Sequence, residues 1–211
     1  AADASGGAYC LVGAPGTGSM TGGTAECGAA YLYHSRSDGF NDTDDEQRVV
    51  AGAAATMQNV GFSVGMVTGA LDSNGITTLF MAVGYPNSDY FQGGGTHGEM
   101  RFGQAVDICS GSDGIYVVGG SRLVDTGLLA DPQSGGAFLF KSPVPLAAPT
   151  LEQRFTASNS SSTDLYGESV SIVSGSDGIY TAVGAEGWGT PNAFTSAVFL
   201  YHSQSNTSGP F

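Results

Sequence analysis

Gly61-Phe62-Ser63-Val64-Gly65 has the G-x-S-x-G spacing of a nucleophile elbow, which presents a serine for acyl transfer on a sharp strand-to-helix turn. The same five positions recur as Gly103-Gln104-Ala105-Val106-Asp107 and Gly167-Glu168-Ser169-Val170-Ser171. Ser63 therefore fills a small-residue slot on a strand, and no helical pattern follows Gly65. His34 and His202 share a slot that Lys141 occupies in another unit, which reads as a solvated strand end and not a metal ligand. His97 and Glu99 form His-x-Glu without the cysteine pair of a zinc deaminase. Asn41-Asp42-Thr43-Asp44-Asp45-Glu46 is the densest acidic cluster. It lacks the glycine that gives a cation loop its sharp turn, so it reads as a solvated loop tip. Trp188 is the single tryptophan, and Tyr85 and Tyr90 lie in a corresponding loop. Together they could stack on sugar rings, or equally cap the packing. No nucleophile–base pair survives, and the chain reads as a non-enzyme.

The elements that must position these residues repeat. Ser110-Gly111-Ser112-Asp113-Gly114-Ile115-Tyr116 returns letter for letter as Ser174-Gly175-Ser176-Asp177-Gly178-Ile179-Tyr180. A leading Gly, followed by a small residue and Val, occurs at Gly61, Gly103 and Gly167. An apolar run ends in Val-Gly at Val12-Gly13, Val83-Gly84, Val118-Gly119 and Val183-Gly184. An aromatic alternation runs Tyr31-Leu32-Tyr33-His34-Ser35, Phe138-Leu139-Phe140-Lys141-Ser142 and Phe199-Leu200-Tyr201-His202-Ser203. Glu46-Gln47-Arg48 returns as Glu152-Gln153-Arg154. The interval from Val-Gly to the next leading Gly is the same for Gly13 to Gly61 as for Gly119 to Gly167, but less than half as long from Gly84 to Gly103. The second unit is therefore short, unless Gly93 to Arg101 supplies a rudimentary strand.

Short segments rich in Val, Ile, Tyr, Phe and Thr, bounded by Gly, Ser, Asp and Pro, are strand-and-turn signals. Helical periodicity is confined to a weak stretch from Ala51 to Met57. The expectation is an all-β, β-propeller-type array of four-stranded antiparallel blades. It forms one repeat domain over 1–211, with units at 1–58, 59–101, 102–165 and 166–211. The first unit lacks its opening strand, the second lacks two and the last lacks its fourth. The array is thus part of a longer propeller or is completed by neighbouring chains through β-augmentation.

Acids outnumber bases 19 to 6, and the formal charge of −13 repels nucleic acid and anionic lipid. No apolar run is long enough for membrane insertion. Asn41, Asn159 and Asn206 open glycosylation tripeptides in polar stretches. The opening Ala1-Ala2-Asp3 reads as the start of a processed protein. Cys10 and Cys27, on and just before adjacent strands, are the expected disulfide, and Cys109 reads as a buried small hydrophobe.

The chain resembles the FG-GAP repeats of integrin-α-like β-propellers. Phe102-Gly103 and Tyr166-Gly167 match the Phe-Gly element. Val12-Gly13-Ala14-Pro15, Val83-Gly84-Tyr85-Pro86 and Val183-Gly184-Ala185 match the Gly-Ala-Pro element. The resemblance implies an extracellular or cell-surface, glycosylated, non-catalytic module for adhesion, ligand binding or extracellular assembly. Its partners would be an extracellular protein or a glycan, or further copies in a polymer. A lectin-like propeller and a filament subunit built by strand exchange are the alternatives. Many members hold calcium between the first two strands, but here Asp113 and Asp177 stand alone before their glycines. Asp72 and Asn74 before Gly75 form a fuller, still incomplete set, and no cofactor is assigned.

Overall fold

The structure, a computed structural model, describes residues 7–16, 28–35, 46–49, 59–71, 77–86, 102–123, 134–143, 148–157, 164–187 and 196–204. The described residues form four small antiparallel sheets, none closed, and no helix. The Ala51–Met57 and Gly93–Arg101 stretches lie outside them. β1 (Tyr9–Ala14), β2 (Ala29–His34) and β3 (Glu46–Val49) make the first sheet. β4 (Ser63–Leu71) and β5 (Thr77–Gly84) make the second. β6 (Ala105–Gly111), β7 (Gly114–Ser121), β8 (Gly136–Ser142) and β9 (Thr150–Phe155) make the third. β10 (Tyr166–Ser174), β11 (Gly178–Ala185) and β12 (Ala197–Gln204) make the fourth. Each sheet is a meander in chain order. Among the described residues the first lacks an opening strand, the second has only two strands and the fourth ends after three, as the segment spacing predicts.

The repeat carries into the pairing register. Asp107 faces Val118 across β6 and β7, and Ser171 faces Ala182 across β10 and β11, the same step apart as the two heptapeptides. One expected alignment needs correction. Gly103 N–H donates to the Gly120 carbonyl at 2.9 Å, as Gly61 N–H donates to Gly84 at 3.0 Å. Gly120, not Gly119, is therefore the counterpart of Gly13, Gly84 and Gly184. Gly119 holds the place of Val12, Val83 and Val183, so the two long intervals that look equal in sequence differ by a single position.

The two glycine landmarks form one contact. Leading Gly61, Gly103 and Gly167 have φ of +83°, +84° and +89°, a backbone that L side chains rarely adopt. A Cβ on Gly13 would run into the Gly61 carbonyl, one on Gly84 into Gly103 and one on Gly120 into Gly167. Backbone thus meets backbone where each sheet passes to the next. Beside it, apolar side chains fill the space between sheets. Ile108 and Ile115 of the third sheet pack with Ala82, Val67 and Phe80 of the second. Cys109, Tyr116, Val118, Ala137 and Leu139 leave the opposite face of the third sheet to pack on Tyr166, Ile172, Ile179 and Val183 of the fourth. Strand alternation allows this, since successive side chains point to opposite faces.

Candidate functional site

The second and third sheets border a half-open apolar cavity of about 380 Å³. Met81 and Val83 of β5 and the adjoining Tyr85 form one wall, and Phe102, Val117 and Phe140 form the other. One feature leaves this space and a second shapes its wall. Between the third and fourth sheets, Phe155 of β9 tilts against Tyr201 with ring centroids 4.4 Å apart. Phe140 is the counterpart of Tyr201, but the described second sheet ends at β5 and brings no fourth strand against it. Gly119 then replaces a valine, and the Phe102 ring occupies the position a Cβ there would need. At the filled interface the Tyr166 hydroxyl lies 2.6 Å from that of Tyr201, and burial pushes the Tyr166 phenol well above its ordinary range.

The serine and histidine motifs are held in structural contacts. Ser63 Oγ donates to the Gly103 carbonyl at 2.9 Å, tying the second sheet to the third. This bond takes up the proton that a catalytic base would remove. The Lys141/His202 slot is not a simple solvated strand end, as its lysine suggested. Lys141 Nζ lies 2.6 Å from Asp113 and 5.4 Å from the Tyr116 ring centroid, while Tyr116 Oη donates to Asp113 at 2.8 Å. Burial alone would raise the Asp113 carboxyl, but the lysine and tyrosine bonds outweigh it and hold the group below its ordinary range. The bond to Asp113 in turn raises Lys141. In the fourth sheet Tyr180 Oη donates to Asp177 at 2.7 Å, the His202 ring stacks on Tyr180 at 4.2 Å and its Nε2 lies 3.7 Å from Asp177. His34 stacks in the same way on Tyr9, at 4.3 Å. A hairpin carboxylate and tyrosine receiving a flat or cationic side chain from the third repeat segment is a pairing that sequence reasoning missed. Its signal was the shared Asp and Tyr of the heptapeptide.

Among the described residues no group of three His, Cys, Asp or Glu side chains could hold a metal ion. Asp72 and Asn74, the weak calcium candidates, lie outside the described residues. So do Asn41, Asn159 and Asn206, His97 with Glu99, and the aromatics Trp188 and Tyr90. Of the acidic cluster only Glu46 is described, exposed at the start of β3. Tyr85 lines the cavity and is the only one of the three proposed sugar-stacking aromatics that can be located. Cys10 is a free, exposed thiol, and Cys27, its expected disulfide partner, lies outside the described residues. Cys109 is buried, and desolvation lifts its thiol to about 11, which keeps it unreactive.

No protein-family model matches this chain, and no curated protein matches it. The FG-GAP resemblance therefore stands on the residues quoted for it.

Proposed function

We propose that the chain is a non-catalytic β-propeller module of the FG-GAP kind, acting outside the cell in adhesion or ligand binding. Its four sheets are blades, complete or partial, stacked about a common centre. One observation carries this reading. The leading glycines meet the glycines that close the second repeat segments at one backbone contact, which recurs at Gly13–Gly61, Gly84–Gly103 and Gly120–Gly167, the second of these joining Phe102-Gly103 to Val83-Gly84-Tyr85-Pro86. A feature that serves stacking three times over is architecture, and repeat arrays of this kind work through surfaces and not through a localised catalytic centre. The use of Ser63 as an inter-sheet donor supports the non-catalytic part.

The cavity beside Phe102 and Phe140 offers an apolar recess for a protein ligand's side chain, and Tyr85 at its wall keeps a sugar-stacking role in view. The test is a retention screen of the secreted chain against immobilised extracellular-matrix proteins and a glycan array, repeated with the cavity-filling Val117→Trp variant. Retention on a protein ligand that falls at least tenfold in the variant supports the reading. Binding confined to glycans transfers the chain to the lectin alternative. No retention at all, or ester turnover abolished by Ser63→Ala, overturns it.

A further inference from the structure

The third and fourth sheets present equivalent faces to very different surroundings. Leu139 in β8 has no exposed surface and its first-sheet counterpart Leu32 only 9%, yet Leu200 in β12 is 81% exposed. Ala137 and Ala30 are fully buried, whereas Val198 in their place is 69% exposed. Val173 is exposed where Cys109 is buried. In the first three sheets this face is covered by the sheet that follows. In the fourth no described residue covers it, and it carries larger apolar side chains than its buried counterparts at two of the three positions. Ser169 repeats the pattern at the glycine contact: it holds the place of Ser63 and is exposed, while the nearest atom to a Cβ on Gly184 is its own sheet's Ser169 hydroxyl.

At the other end of the stack lies the complementary half of the same interface. Thr181 and Val183 of the fourth sheet are buried against the third. Their counterparts in β1, Cys10 and Val12, are exposed, and beside them Tyr31 and Tyr33 stand where Phe199 and Tyr201 stand in the fourth sheet. One end thus offers the face that receives a sheet, and the other offers the face that is received.

We propose that the bare face of the fourth sheet docks the exposed face of the first sheet of a second copy of this chain, with Val198 and Leu200 meeting Val12 and the Tyr31–Tyr33 edge. The inference rests on the stacked-blade reading above but not on its extracellular or adhesive part. A contact between two different faces is heterologous: it closes into a ring if the rotation permits and otherwise propagates as a filament. The acidity common to all copies opposes association, so the contact strengthens as salt rises.

Sedimentation velocity on the whole chain, at physiological salt and over a wide concentration range, tests the proposal without any ligand. Wild type is expected to associate beyond the monomer. Leu200→Arg and Val12→Arg, both at exposed positions, are each expected to remain monomeric. An equimolar mixture of the two variants is expected to form a one-to-one dimer and stop there, because each supplies the half the other lacks. Val198→Arg replaces Leu200→Arg should circular dichroism find the latter unfolded. A wild type that stays monomeric throughout overturns the inference. So does a Val12→Arg chain that still dimerises alone, since that would mean a symmetric contact between fourth sheets. Association without any matrix or glycan binding leaves this inference intact while removing the adhesive function.

Discussion

The same heptapeptide occupies two hairpins of this molecule with different fates. In the first copy, Ser110 to Tyr116, the tyrosine is buried under the fourth sheet and its aspartate holds a lysine. In the second, Ser174 to Tyr180, the tyrosine is exposed and its aspartate faces a histidine. Register and the tyrosine-to-aspartate bond are the same in both. Local sequence therefore decides the hairpin, and position in the stack decides what the hairpin is worth. Identical segments do not imply identical energetics.

Matched substitutions, measured by urea unfolding at dilution, sharpen that contrast. The largest difference is expected at the equivalent glycines. Gly120→Ala forces a Cβ onto the Gly167 carbonyl of the next sheet and should cost about 3 kcal/mol or more. Gly184→Ala meets only the Ser169 hydroxyl, whose rotamer can change, and should cost about 1 kcal/mol or less. Equal losses at the two sites would mean that the stacking contact contributes nothing.

Next come the leucines. Leu139→Ala opens a cavity in the closed face and should cost about 2–5 kcal/mol, whereas Leu200→Ala should stay within about 0.5 kcal/mol. The smallest effect belongs to the carboxylates. A carboxyl held below its ordinary range stabilises the fold above the unfolded value, and this contribution disappears as pH falls through the folded value. Stability should therefore drop below about pH 4, and Asp113→Asn should flatten that limb by less than about 1 kcal/mol, as befits a half-exposed ion pair. Asp177 is lowered mainly by its Tyr180 bond but is fully exposed, so Asp177→Asn should change the acid limb less than Asp113→Asn does. A larger change at Asp177 would reverse the comparison.

Much of the fold was legible because strand signals and repeat spacing are local properties. Among the described residues, the two strands of the second sheet agree with the short interval between Gly84 and Gly103. The slip at Val118-Gly119 arose because Gly119-Gly120 offers two candidates for one role, and the pairing of β6 with β7 distinguishes them. The Lys141 slot was misjudged because a lysine looks solvated in sequence, while its aspartate and tyrosine partners come from a hairpin well upstream in the chain. The cavity could not be read at all. It depends on how β5 packs beside the third sheet, and packing between distant segments leaves no mark in either segment alone.

Joining the sheets through bare backbone has a consequence for how such a chain can change length. The second unit is much shorter than the first, yet its seam at Gly84–Gly103 is built like its neighbours'. Material can thus be lost or gained between the glycines without disturbing that contact, provided that the glycines stay. Tolerance to insertion and intolerance to a single methyl group are two sides of the same construction.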